Sequence, residues 1–219
     1  MKSIAIIVPA LEKNAYHAQG DMAPFGDVSL LEWKLSQVCN LLPEARVYVS
    51  TPSDTIAKWC QQQGVSVIRR DANLTLSEMI TTSVLKTQEP MILWTYVTSP
   101  FIGAADYRVC IKAFAERKPE YDSLLTTILL KEYVLYQGHP VNFQLHEHSS
   151  RREIEPVMIM TNGCSIIMRE SALDLCSTIG RNPIFFPVDR LTAMEIKDMD
   201  DLDVANDLLA RYIRVKELT

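Results

Sequence analysis

The groups in this 219-residue chain best suited to hold an anion are two arginine pairs and one loop lysine. Arg69-Arg70 follows an apolar run, and Arg151-Arg152 lies in a stretch with no long apolar face. A guanidinium grips carboxylates or phosphates through paired, charge-assisted hydrogen bonds, although Arg69 and Arg70 also suit an ordinary charged surface. Lys13 is the one Lys or Arg in the polar loop 10–27; it either swings onto a phosphate or stays in solvent. Asp198 and Asp200 precede a helical pattern, where carboxylates cap free N–H groups and complement the dipole. His139, His146 and His148 invite a metal reading, but no further ligand pattern accompanies them.

The overall charge narrows the partners. A net charge of −5 argues against a general nucleic-acid binder held by phosphate contacts, and leaves room for a local basic pocket for one small anion. Cys39, Cys60, Cys110, Cys164 and Cys176 are odd in number and never spaced for zinc, so each is expected to be buried and reduced. No apolar run approaches the ~18 residues of a membrane span, and no cleavable signal follows Met1. A cytoplasmic location is expected.

The elements that must position these groups alternate. Ile4 to Val8 is a continuous apolar run stopped by Pro9, the pattern of a strand buried on both faces. Leu30, Leu31, Trp33, Leu35 and Val38 recur at helical spacing, which predicts a helix over about 29–42. Further strands are expected near 46–50, 65–68, 91–96, 122–128, 158–168 and 184–188. Helices are expected near 52–63, 76–86, 106–117, from Ser171, and at 200–215. This alternation implies an α/β fold, a mostly parallel doubly wound sheet of about six or seven strands in one domain over 1–219. Ligands in such sheets sit at the carboxyl ends of the strands, so the loops 9–27, 69–76 and 98–103 and the segment from Asn162 are the candidates. Residues 130–157 break the rhythm and are expected to form an inserted arm. Asn162-Gly163 suits either a tight turn with positive φ or a wall of the ligand pocket.

Several segments occur in the order of a known family. Val8-Pro9-Ala10 ends the first strand, Thr98-Ser99-Pro100 follows a later one, and Arg151-Arg152-Glu153-Ile154-Glu155-Pro156 comes next. Asn162-Gly163-Cys164-Ser165-Ile166-Ile167 and the tail from Glu195 to Ala205 complete the series. Together they resemble the acylneuraminate and related sugar-acid cytidylyltransferases. The resemblance implies the nucleotide-diphospho-sugar transferase fold and attack of an acidic sugar's hydroxyl on the α-phosphate of CTP, with release of pyrophosphate. It also implies magnesium and a homodimer. By position it puts Ala10, Leu11, Lys13, Asn14 and Arg70 near the nucleotide, and Tyr96, Thr98, Arg151, Arg152 and Asn162 near the sugar. Glu195 falls at the metal. No residue is assigned as a catalytic acid or base.

The departures from that pattern are specific. Leu11 stands where the family has an arginine, Asn14 at its serine, Ala15 at its lysine, and Gly20-Asp21 at its final Lys-Asn. Lys197 takes the place of one of two metal-binding aspartates, Tyr96 that of a glutamine, Ile102 that of an arginine and Ile166 that of a tyrosine. Two readings follow: an active cytidylyltransferase, or a catalytically weakened relative that binds a nucleotide or sugar or supports a partner enzyme. A related transferase using another nucleotide is a third, because fold does not fix function.

Overall fold

Short apolar, β-rich runs form the strands here, and hydroxyl side chains between them start helices. The computed structural model describes residues 3–39, 45–147 and 150–217. β1 (Ile4–Pro9) leads through a 3-10 turn at Gly20–Met22 into the small hairpin of β2 (Pro24–Phe25) and β3 (Val28–Ser29). Then come α1 (Leu30–Val38), β4 (Ala45–Thr51), α2 (Asp54–Gln62), β5 (Ser66–Arg69), α3 (Leu76–Leu85), β6 (Met91–Trp94) and α4 (Ala104–Glu116). Ser29, Ser53 and Thr75 cap α1, α2 and α3, each hydroxyl accepting a backbone N–H of the first turn. The second half holds β7 (Ser123–Leu130), β8 (Leu135–Tyr136), β9 (His139–Pro140) and β10 (Val157–Met168). It closes with α5 (Arg169–Leu175), β11 (Pro183–Pro187) and α6 (Met199–Glu217).

The main sheet has the order β11-β7-β10-β6-β1-β4-β5. All neighbours are parallel except around β10, which runs antiparallel to both β6 and β7. β1 is wholly buried because each face meets a different core. Ile4, Ile6 and Val8 pack into the larger cluster with residues of α1, α4 and α6, while Ala5 and Ile7 pack beneath α3 and α5. That two-sided burial is the physical reason the run reads as continuously apolar. The mostly parallel, doubly covered sheet agrees with the sequence expectation.

One strand runs against the parallel majority, and three expectations are corrected. The chain leaves the carboxyl end of β7 and returns to the sheet at that same edge, so β10 must run backwards. Asn162-Gly163 is not a turn: it lies inside β10, where the register shifts between Met160 and Ser165. Gly163 is absent from the glycines with left-handed φ; a Cβ there would stand 3.2 Å from Ile102 Cδ1 and Thr126 Oγ1, so close packing is what favours glycine. Cys60, Cys110 and Cys164 are buried and unpaired, but Cys39 and Cys176 are exposed, each the cap residue at the C-terminal end of a helix. The helix expected to reach Leu42 ends at Val38 with Cys39 as its cap, and residues 40–42 lie outside the described residues.

The segment between β7 and β10 carries the β8–β9 hairpin. Gln137 (φ +50°) and Gly138 (φ +82°) turn it, the pair of positive φ values that a tight two-residue hairpin needs. Asn142 ties its base, donating to Glu132 O and Glu155 O at 2.8 Å each. Among the described residues no helix is long and apolar enough to cross a membrane.

Candidate functional site

At the carboxyl end of β1 the chain enters a loop that closes on itself. Ala10 is buried and continues the strand pairing, its N–H donating to Ser50 O at 2.9 Å. The Leu11 N–H donates to Asp21 Oδ2 at 2.6 Å, and the Asp21 N–H returns a bond to Leu11 O at 2.9 Å. Asn14 Nδ2 donates to Asp21 Oδ1 at 3.4 Å, and the Tyr16 hydroxyl donates a short bond to the same oxygen. Outside the loop, Glu12 accepts from Ser53 Oγ (2.6 Å) and Thr55 Oγ1 (3.2 Å), anchoring the loop to the start of α2. These bonds hold the Glu12 carboxyl below its usual range.

Against this loop lies a cavity of about 200 Å³. Leu11, Asn14 and Asp21 bound it from the loop, and Arg70, Tyr96 and Thr98 from the ends of β5 and β6. Burial pushes the Asp21 carboxyl up to about 6, against the opposing pull of Tyr16, the Leu11 N–H and the Arg70 charge. Burial lowers the Arg70 pKa, again opposed by Asp21, and Arg70 Nε is buried without a hydrogen-bond partner. The cavity therefore joins one cation with an unspent donor to one buried carboxyl.

Next to it, the turn at Thr98-Ser99-Pro100 is held from below by α1. Trp33 Nε1 and Gln37 Nε2 both donate to Pro100 O, at 2.7 and 2.8 Å. The fully buried Lys34 Nζ donates to Ser99 O (2.7 Å), Tyr107 Oη (2.9 Å) and Ile102 O (3.3 Å). Burial drives its pKa down to about 7, with Cys164 and Asp106 opposing. On the far side, Ile196 N–H donates to Thr98 O at 2.8 Å, docking the tail against the turn. The Glu195 carboxylate accepts the Asn162 backbone N–H in a short bond and Asn162 Nδ2 at 3.2 Å. Burial raises the Tyr96 hydroxyl, and the Glu195 charge adds to the rise.

The fold thus gathers Leu11, Asn14, Arg70, Tyr96 and Thr98 around one cavity, with Ala10 beneath it and the Asn162–Glu195 pair docked alongside. Lys13 is exposed and does not line the cavity. Arg151 pairs with Glu132 at 2.8 Å, which also meets Arg190 at 3.5 Å, and the Arg152 carbonyl accepts from Lys131 Nζ. Arg69 instead clamps the β4–α2 connection, donating to Pro52 O (3.0 Å) and Asp54 Oδ1 (2.6 Å).

The tail carboxylates are committed to hydrogen bonds within the protein. Glu195 spends both oxygens on Asn162, Asp198 caps α6 by accepting the Asp201 N–H at 2.9 Å, and Lys197 adds a cation nearby. One carboxylate does not make a resident site for a hard cation that wants six oxygens. Among the described residues no group of three or more His, Cys, Asp or Glu is placed to hold a metal, and His148 lies outside them.

Tyr16, Asp21 and Lys34 were not assigned roles from the sequence. Lys34 was findable: it is four residues after Leu30 and three after Leu31, in the apolar stripe of its own helix. Asp21 gave no such signal, because its burial depends on a loop closure that periodicity does not describe.

The architecture is that of the nucleotide-diphospho-sugar transferase type, an α/β sheet of seven strands. A CMP:2-keto-3-deoxy-manno-octonic acid synthetase complexed with CTP superposes with a TM-score of 0.74 at 12% identity, covering 95% of this chain and 99% of that one. A 4-diphosphocytidyl-2C-methyl-D-erythritol synthase from Anaerococcus prevotii gives 0.71 at 15% identity, over 96% and 99%. A cytidylyltransferase from Leptospira borgpetersenii gives 0.68 at 14%, over 100% and 94%. At these identities the likeness is one of fold. In sequence, the model of the cytidylyltransferase family matches residues 20–150, and the chain belongs to that family. No curated protein matches it in sequence.

Proposed function

We propose that this chain transfers a cytidylyl group from CTP to a hydroxyl of an acidic sugar. In that step the sugar oxygen forms a bond to the α-phosphorus, the α–β phosphate bond breaks, and pyrophosphate leaves. The observation that carries the reading is the cavity at the carboxyl ends of β1, β5 and β6, where Arg70 brings an unpartnered buried Nε in a chain of the cytidylyltransferase family. The family resemblance supports Tyr96, Thr98 and Asn162 as the residues that meet the acceptor; of Arg151 and Arg152, which it assigns there too, we assign Arg152 to the acceptor's carboxylate, because Arg151 is paired with Glu132. Magnesium enters as the companion of the triphosphate, not as a resident ion. All five cysteines are unpaired, which fits the cytoplasm.

A second reading has its own observation. The Asp21 carboxyl already occupies the Leu11 N–H, so the loop offers an incoming phosphate fewer donors than an open one would. This favours a nucleotide-binding relative with weakened turnover. Calorimetry with CTP, with and without magnesium, followed by pyrophosphate release with acidic sugars, separates the two. Binding without release selects the second reading; no binding at millimolar CTP removes both.

Arg70→Ala is expected to weaken CTP about ten- to a hundredfold, the loss of one charge-assisted contact. Lys13→Ala should cost less, because that cation reaches a phosphate only from the exposed crest of the loop. Lys112→Ala, on the outer side of α4 in a 3.8 Å pair with Glu116, should leave affinity unchanged.

We also assign the segment 130–157 and the start of β10 to a two-fold dimer. Leu135, Tyr136, Met158, Ile159 and Met160 are all exposed there, an apolar surface of the kind a self-complementary interface covers. Light scattering should report a dimer, and a monomer at high concentration removes the assignment.

A further inference from the structure

The least expected group in the cavity is the carboxyl of Asp21. It is buried and accepts from the Leu11 N–H at 2.6 Å, from the Tyr16 hydroxyl and from Asn14 Nδ2 at 3.4 Å. Its backbone is tied to the same residue, Asp21 N–H donating to Leu11 O at 2.9 Å, so the carboxyl and the loop strand beside it form one closed ring of bonds. The charged and titratable groups facing it are few. Tyr16 comes from the same loop and Arg70 from the end of β5; from the end of β6, Tyr96 and Thr98 border the same cavity and carry no cation. One guanidinium thus faces one carboxylate, and the pair is close to neutral before any ligand arrives.

We propose that Asp21 is the residue that sets which charge the site accepts: its carboxylate holds the loop donor in place of a nucleotide phosphate, so binding of a nucleoside triphosphate here takes up one proton. The inference rests on the nucleotide reading above. Two like charges about 4 Å apart in a partly buried site cost about a thousandfold in affinity. Protonating Asp21 is far cheaper. With burial holding its carboxyl at about 6, the cost at pH 7.5 is about thirtyfold. Protonation therefore wins, and the neutral acid keeps its place in the loop. The sign follows: a phosphate beside Asp21 raises its pKa further, so affinity falls as pH rises above 6, by up to about tenfold per unit.

The test is calorimetry of CTP binding to the whole protein from pH 5.5 to 8, with each point in two buffers of different ionisation enthalpy. Wild type should take up about one proton more than Asp21→Asn at pH 7.5, and should lose affinity more steeply with pH. Asp21→Asn should bind at least about tenfold tighter than wild type at pH 8. CTP's own titration is common to both proteins and cancels in the comparison. Tyr16→Phe keeps the carboxylate but removes a bond that lowers its pKa, so it should move the midpoint to higher pH. Equal proton counts and slopes in wild type and Asp21→Asn, or an unmoved midpoint in Tyr16→Phe, would overturn the inference while leaving the nucleotide reading intact. Absence of CTP binding in every protein at every pH removes the reading and the inference together.

Discussion

Replacing Gly20 by alanine is expected to destabilise the protein by about 2–5 kcal/mol and to abolish nucleotide binding with it. Gly20 has φ +53°, and a Cβ there would stand 2.3 Å from Leu11 O, 2.6 Å from Glu12 C and 2.7 Å from Lys13 N. All three are backbone atoms, which have no rotamer to move into. The left-handed conformation costs a β-carbon roughly 1–2 kcal/mol, and forcing the loop apart adds about 1–3. The reciprocal Leu11–Asp21 bonds are the first to break, and they shape the cavity. Gly64→Ala is the control: it shares a positive φ (+73°), but nothing lies within 4 Å of its Cβ position, so only the smaller conformational cost applies. Urea unfolding of both variants measures the difference. Equal losses would show that the loop yields freely and that Gly20 serves its φ alone.

The stability of the wild-type protein should rise by about 2 kcal/mol more between pH 7 and pH 9 than that of Lys34→Met. The unfolded lysine keeps its proton up to its ordinary value of 10.5, whereas the buried one gives it up at about 7. Between those values the unfolded state binds more protons, so raising the pH favours the folded state. The contribution is complete above the unfolded pKa and is lost as pH falls through the folded one. Methionine fills similar volume and carries no proton, so the variant lacks this slope while sharing every other titration. Its Ser99 carbonyl loses the lysine donor, and the turn at 98–100 then depends on Trp33 and Gln37. Chemical denaturation across that pH range measures the slopes; parallel curves would mean that the amine titrates like one in water.

How the chain divides between local and long-range control is clearest in particular residues. The run from Ile4 to Val8 and the apolar stripe of α1 were legible in the sequence, because each depends on neighbours within a few positions. So was the series of segments that marks the family. From these followed the sheet, its covered faces and the edge where ligands sit. Three matters were decided only by tertiary structure: the direction of β10, the place of Asn162 and the surroundings of Asp21 and Lys34. Asn162 meets Glu195 from 33 residues away, and Lys34 meets Ser99 across 65. The reason is physical. Hydrophobic periodicity records which face of an element is buried, whereas the ionisation of a buried group depends on the donors, acceptors and solvent that distant segments bring to it. Leu11 and Ala15 in place of family cations came from the resemblance to the family pattern, but that Asp21 fills the first loop with its own carboxylate was set only by the closure of the loop over it.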